Sequence, residues 1–310
     1  MRLLDLVVSG CDFSGTSTQI RGLIKYFQST GKIVRDIRGT ETDAMFHAQA
    51  LEDFNRDYIS LAQFSNIQNT HPFMLQDGIN KVEMLTRKNG FNIASMVIND
   101  VSEYINPHRA DVWIMEEPSR RGAGQTVRTI ELYRSKFGDK SNQASAALAH
   151  QAYRTEEFLR FRKVLREAGK IIVRSRSEES ACYQIFDDET LPGGVSRTVY
   201  LNLPGHKIAF GNPPTHIFVV CGPENWKPED YLELKRQRTD GRVDDDYEKD
   251  AEYQIMVNKR YASDWLENLY QEACQMHGGK VPSITRFDIY KSKEEIVQEM
   301  INKLKEILKT

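Results

Sequence analysis

Charge imbalance is almost absent from this chain: 42 Lys and Arg stand against 44 Asp and Glu, a formal net charge of -2. That balance argues against a dedicated nucleic-acid binder, which needs a broad basic face, while leaving room for a local basic patch. Cysteine is also scarce. Cys11, Cys182, Cys221 and Cys274 lie far apart, with no CxxC or CxxH spacing. Neither a zinc module nor a disulfide scaffold is expected, and reduced thiols in a cytoplasmic protein are. No apolar run reaches the roughly 18 residues that cross a bilayer. The leading MRLLDLVVSG runs too directly into a loop to act as a signal peptide. The seven histidines show no metal-ligand spacing, and no strand–turn–helix context presents a Ser/His/Asp or Cys/His nucleophile. Internal repeats and low-complexity linkers are missing too.

What remains is strand–helix alternation. LLDLVVS (3–9) is a short apolar run ending at glycine, the pattern of a buried parallel strand. TQIRGLIKYFQSTG then places Ile20, Leu23, Ile24 and Phe27 at helical spacing, with Gly31 as the stop. KIVRDI (32–37), ADVWIMEEPS (110–119), KIIVRS (170–175), THIFVVCG (215–222) and the start of SITRFDIY read as further strands. GQTVRTIELYRSKFG and SAALAHQAYRTEEFLRFRKVLREAG are strong helical patterns between them. The last helix carries a capping box, Ser292 with Glu295, and a predicted apolar face of Ile296, Met300, Leu304 and Leu308. Segments within 41–110 read as mixed or helical. Such alternation predicts an α/β fold with right-handed crossovers.

Between the first strand and helix lies SGCDFSGTSTQ. Gly10, Ser14, Gly15, Thr16, Ser17 and Thr18 have the makings of a phosphate cradle: glycines that let backbone N–H groups turn inward, and a helix start whose dipole faces the anion. The GxxxxGK(S/T) pattern is met except at its lysine, where Thr16 stands. Ser17 takes the place of the hydroxyl that binds Mg²⁺. The plainer reading is a glycine turn in a doubly wound fold without phosphate.

The loop resembles the GxDxxGKSTQ loop of thymidylate kinases, with Asp12 at the acidic position. EEPSRRGAGQTVR looks like that family's REPGGT…R motif: Glu117 and Pro118 match, and Arg128 falls ten residues after the proline. ALAHQAYRTEEF resembles its A-D-R helix and puts Arg154 on the monophosphate substrate. AGKIIVRSRSEESACYQ is similar to GKIVISDRYxxSSxAYQ, with Ser180, Tyr183 and Gln184 in place and Arg174 or Arg176 as the guanidinium. DDYEKDAEYQIMVNKRY is similar to the DRFE…Y run closing a lid segment. The resemblance covers residues 1–32 and roughly 111–310. It implies a P-loop NTPase-type three-layer sandwich, with a central parallel sheet of about five strands and helices on both faces. Residues 1–40 and 111–310 form its core, 41–110 an insertion, and 227–250 a lid-like segment. It also implies transfer of the ATP γ-phosphate to dTMP or a similar nucleoside monophosphate with Mg²⁺, and a homodimer.

Departures qualify that expectation. Thr16 replaces lysine, Glu116 the arginine of REP, and Asp245-Asp246-Tyr247-Glu248 the lid's DRFE. Arg238 or Arg242, in KRQRTDGR with Lys235 and Arg236, is the expected substitute cation; a solvated helix face is the plain alternative. Asp12, Glu116 and Glu117 are the acids expected nearest Mg²⁺, or Glu116 and Glu117 simply cap the next helix. Three readings stand: an active nucleoside monophosphate kinase, a degenerate relative that binds nucleotide or a protein partner through its insertion, and a kinase of another acceptor.

Overall fold

The computed structural model of the chain describes residues 3–38, 107–119, 124, 127, 143–183, 195–238 and 250–309. The readings made for 41–106, most of the helix read at 124–138, and residues 239–249 of the lid-like segment lie outside these.

Among the described residues six strands form one parallel sheet: β1 (Leu4–Gly10), β2 (Val34–Asp36), β3 (Val112–Glu116), β4 (Ile171–Ser175), β5 (His216–Cys221) and β6 (Ser283–Asp288). Their spatial order is β2-β3-β4-β1-β5-β6. The three-residue β2, within the run read as KIVRDI, forms an edge beside β3, Val34 lying opposite Val112. β1 is central, paired with β4 from Leu4–Ile171 to Val8–Ser175 and with β5 from Leu6–His216 to Gly10–Val220. All seven of its residues are buried, as a strand covered on both faces demands.

Around the sheet run α1 (Thr16–Ser29), α2 (Gln143–Glu157), a π-helical turn (Phe158–Arg162), α3 (Lys163–Glu167), α4 (Arg197–Asn202), α5 (Pro204–Gly211), α6 (Pro228–Arg238), α7 (Ala251–Ala262), α8 (Trp265–His277) and α9 (Lys293–Lys309). Helix α1 packs on α9 at one face, and α5 packs on α2 and α8 at the other. Strand residues alternate between the two covered sides. Val112, Ile114, Ile171 and Val173 join the main core, while Trp113, Met115 and Ile172 join a smaller one with Phe161 and Leu165.

The capping box forms as read: Glu295 N–H donates to Ser292 Oγ at 3.2 Å, and Ser292 N–H donates to Glu295 Oε2 at 2.9 Å. The apolar face of α9 differs at its end. Ile296, Met300 and Leu304 are buried, but Leu308 is exposed and Ile307 packs on the core instead. Steps of four drift by roughly 40° each from a 3.6-residue turn, so the fourth member has left the stripe that Ile307 rejoins.

The chain leaves β1 toward β2 on one side and later crosses from β4 to β5 on the other. Strand order therefore reverses around β1, and the crevice at its carboxyl end is where such sheets bind ligands.

Candidate phosphate-binding site

The loop from Gly10 to Gly15 turns the chain from β1 into α1. Gly10 is required by close approach: a Cβ there would stand 2.2 Å from Val220 O on β5 and 2.7 Å from Ser14 Oγ. Phe13 (φ 62°) and Gly15 (φ 81°) take left-handed conformations, which turn successive amides to one side of the chain. Ser14 N–H closes the turn on Cys11 O at 3.2 Å, and Thr18 and Gln19 N–H both reach Gly15 O. Gly15 caps α1 without a side-chain hydrogen bond, and no acidic residue occupies the first turn. The positive end of the helix therefore faces the loop uncompensated. Ser17 is exposed there, flanked by half-buried Thr16 and Thr18.

Asp12 is held from two sides. Arg176 Nη2 donates to its Oδ1 at 2.7 Å, and Gln254 Nε2 donates to its Oδ2 at 2.5 Å. Asp12 N–H in turn donates to Gln254 Oε1 at 3.2 Å. Arg176 sits just past β4 with φ 63°, its N–H bonded to Val8 O. Its guanidinium lies 4.7 Å from the centroid of the Tyr183 ring, and Tyr183 Oη donates to Gly10 O at 3.3 Å. Burial raises the Tyr183 phenol well above its usual value, so it stays a neutral donor. Glycine, aspartate, arginine and tyrosine, drawn from β1, the loop, β4 and the turn after it, thus meet at one edge. Gln254 and Tyr261 are both on α7; Tyr261 closes the run matched to the lid segment, while Gln254 was not singled out in the sequence. They lie seven residues apart on the buried face of α7 with Val257 between them, a stripe that reads as ordinary core and does not mark Gln254.

Arg238 reaches the loop from the other direction. It donates to Phe13 O (2.9 Å), Ile289 O (2.5 Å) and Lys291 O (3.2 Å), and no carboxylate among the described residues pairs with it. Lys235 Nζ stands 5.8 Å from the Phe13 ring centroid. Arg236 is exposed and paired with Glu233 on its own helix.

Arg154 and Arg174 are placed elsewhere. Arg154 is 3% exposed. It grips Glu117 Oε1 through Nη2 (2.5 Å) and Nε (2.9 Å), and its Nη1 meets Tyr200 Oη (2.5 Å) and His206 Nε2 (2.8 Å). Burial and the Arg154 charge hold His206 well below its usual value. It is therefore neutral, with Nδ1–H donating to Tyr200 O and Nε2 accepting. Arg174 lies inside the sheet beside Asp5 and Glu178, a network the sequence signalled only by one acid in the apolar run LLDLVVS. Arg128, Gln184 and Arg242 lie outside the described residues.

Beneath the loop Ser9 Oγ donates to Glu179 Oε1 at 2.6 Å and stands 2.9 Å from Tyr261 Oη. Burial, with the neighbouring Glu117 and Glu178 charges, pushes the Glu179 carboxyl up to about 7. A folded value above the ordinary 4.5 means the native state holds this proton more tightly than the unfolded chain. Its stability contribution is complete below about pH 4.5 and is lost as pH rises toward 7. Glu179→Gln is expected to abolish that slope and to gain on the order of 2 kcal/mol over the parent at pH 8. Thermal melts from pH 5 to 8 measure it, and parallel curves for the two proteins would place the proton elsewhere.

No protein-family model matches the chain, and no curated protein matches it. The geometry defines the class: an α/β protein whose described residues hold a parallel six-stranded sheet and a glycine loop at the carboxyl end of its central strand. No helix among the described residues is long and apolar enough to cross a membrane.

Proposed function

We propose that the chain is a thymidylate kinase-like phosphotransferase, moving the ATP γ-phosphate to dTMP or a similar nucleoside monophosphate. The observation that carries the reading is the Gly10–Thr18 loop: a central parallel strand, two left-handed residues and a helix N-terminus without a side-chain cap converge at the strand-order reversal. In this reading the loop amides and the start of α1 hold the donor phosphates. An oxygen of the acceptor monophosphate attacks Pγ, forming a new P–O bond as the bond to the ADP oxygen breaks. Catalysis of such transfers is chiefly positioning and charge stabilisation.

The donor set suits magnesium carried on nucleotide. Among the described residues no group of three or more His, Cys, Asp or Glu side chains is arranged to hold a metal. Mg²⁺ bound through phosphates and water needs only one or two protein oxygens, and the exposed Ser17 hydroxyl in the first turn of α1 supplies one. When bound, the ion neutralises charge between the phosphates. Asp12, its oxygens turned to Arg176 and Gln254, orients the guanidinium in this scheme.

The test is turnover with Mg·ATP and dTMP, followed as ADP and dTDP, with Thr16→Lys in parallel. ADP formation dependent on the monophosphate is expected from the wild type. Silence from both proteins while ATP still binds would remove the transferase reading. That outcome belongs to a second reading, a nucleotide-binding chain without transfer. Arg154 and Arg174 favour it, since each is buried against carboxylates of the chain itself.

A further inference from the structure

A loop that cradles two or three phosphates gathers several negative charges, and backbone dipoles alone balance them poorly. The usual answer is a positioned cation, and Thr16 has none. The structure restricts which cation takes its place. Arg154, Arg162 and Arg174 are each 3% exposed or less and bound to interior carboxylates. Releasing any of them toward a ligand would strand a buried anion. Arg238 has its Nη groups committed to the carbonyls of Phe13, Ile289 and Lys291.

Arg176 differs on every count. Its backbone is fixed by the Val8 O hydrogen bond at the end of β4, next to β1. Its guanidinium rests on the Tyr183 ring, whose hydroxyl is bonded to Gly10 O. One of its Nη atoms reaches the loop at Asp12. The charge is thus held beside residues 10–12 of the loop, with 23% of its side chain open to solvent. Its carboxylate partner belongs to the loop, so an arriving phosphate shares the guanidinium fork without leaving Asp12 unpaired, because Gln254 stays bonded to that carboxylate.

We propose that Arg176, just past the end of β4, supplies the donor-phosphate cation that the loop lacks at Thr16, and that Asp12, Gln254 and Tyr183 are the positioning residues that aim it. The inference rests on the phosphate-binding part of the function proposed above, and not on transfer. It separates Arg176 from a contact to the acceptor alone, because a lysine restored to the loop should stand in for it.

The experiment is a cycle of Thr16→Lys, Arg176→Gln and the double variant. Mg·ATP and inorganic triphosphate affinities are read by calorimetry, monophosphate affinity is read separately, and melting temperature serves as the folding control. A charge-assisted hydrogen bond is worth enough that Arg176→Gln should weaken Mg·ATP binding about 10- to 100-fold, while dTMP binding changes less than about threefold. Adding Thr16→Lys to that variant should recover most of the loss. In the wild-type background the same lysine should gain less than about threefold, because the charge is already supplied. Arg176→Lys, which keeps the charge without the fork, should fall between.

Equal gains from Thr16→Lys in both backgrounds would overturn the proposal, as would a loss confined to dTMP. Should Arg176→Gln fail to fold, Thr16→Lys alone still decides. A gain of about 100-fold would mean that no other cation serves the loop. A wild type that binds Mg·ATP and triphosphate while neither it nor Thr16→Lys forms ADP ends the transferase reading and leaves this inference standing. One that binds neither ends both.

Discussion

Replacing Arg174 with alanine is expected to cost about 3–5 kcal/mol of folding stability, most of the margin of a domain at the low end of the ordinary range. The reason lies in the middle of the sheet. Asp5 is fully buried on β1 and accepts from Arg174 Nε at 3.0 Å, Arg162 Nη2 at 3.1 Å and Arg166 Nη1 at 3.1 Å. Glu178 accepts from Arg162 Nη1 at 2.5 Å and from Arg174 Nη1 at 3.3 Å. Two carboxylates share three guanidiniums, and removing the central one leaves both acids with less charge than their burial requires. Burial alone would raise the Asp5 carboxyl, but the three arginines reverse that and hold it below its ordinary 3.8. Glu178 is likewise held below 4.5 by Arg162 and Arg174 against its burial. Folded values under the unfolded ones mean that this stability is present above about pH 4.5 and fades as pH falls below it. Urea titrations should therefore show the wild type losing stability in acid and Arg174→Ala losing proportionally less. Asp5→Leu with Arg174→Met should restore part of the loss, since apolar isosteres often replace a buried ion pair at little cost. A fully stable Arg174→Ala protein would show that water reaches this network.

Arg154→Ala carries the second large effect, and its direction separates two roles. If Arg154 held the acceptor monophosphate, Arg154→Ala would fold normally and lose substrate affinity. The interior bonds predict the opposite order: a stability loss of about 3 kcal/mol or more, because buried Glu117 loses its direct guanidinium partner and keeps, among the described residues, His150 at 3.8 Å. Combining it with Glu117→Gln should recover at least about 1 kcal/mol, the coupling typical of a contacting buried pair. Both losses are read from chemical denaturation without ligand, and dTMP calorimetry on Arg154→Lys supplies the contrast. Unchanged stability together with lost dTMP binding would return Arg154 to the acceptor site.

Local physics made some of this protein legible in its sequence. β1, the glycine loop and α1 followed from an apolar run, two glycines and a helical apolar stripe, all decided within a few turns of chain. The α9 capping box formed because Ser292 and Glu295 need only each other and the intervening backbone. The parallel sheet followed from alternation, since helix-long crossovers leave no other pairing.

The partners of the charged side chains were settled only by the tertiary structure. Arg174 and Arg176 stand two residues apart, a spacing that puts both on one face of a continuing strand. β4 ends at Ser175. The left-handed turn at Arg176 then swings its guanidinium to the loop, while Arg174 stays under the helices with Asp5, 169 positions away in sequence. Arg154 could be matched to a motif by its neighbours, but not to Glu117, 37 positions before it. Hydrophobic periodicity records which face of an element is dry. It carries no record of which opposite charge waits across the core, because that depends on strand order and on where each strand stops.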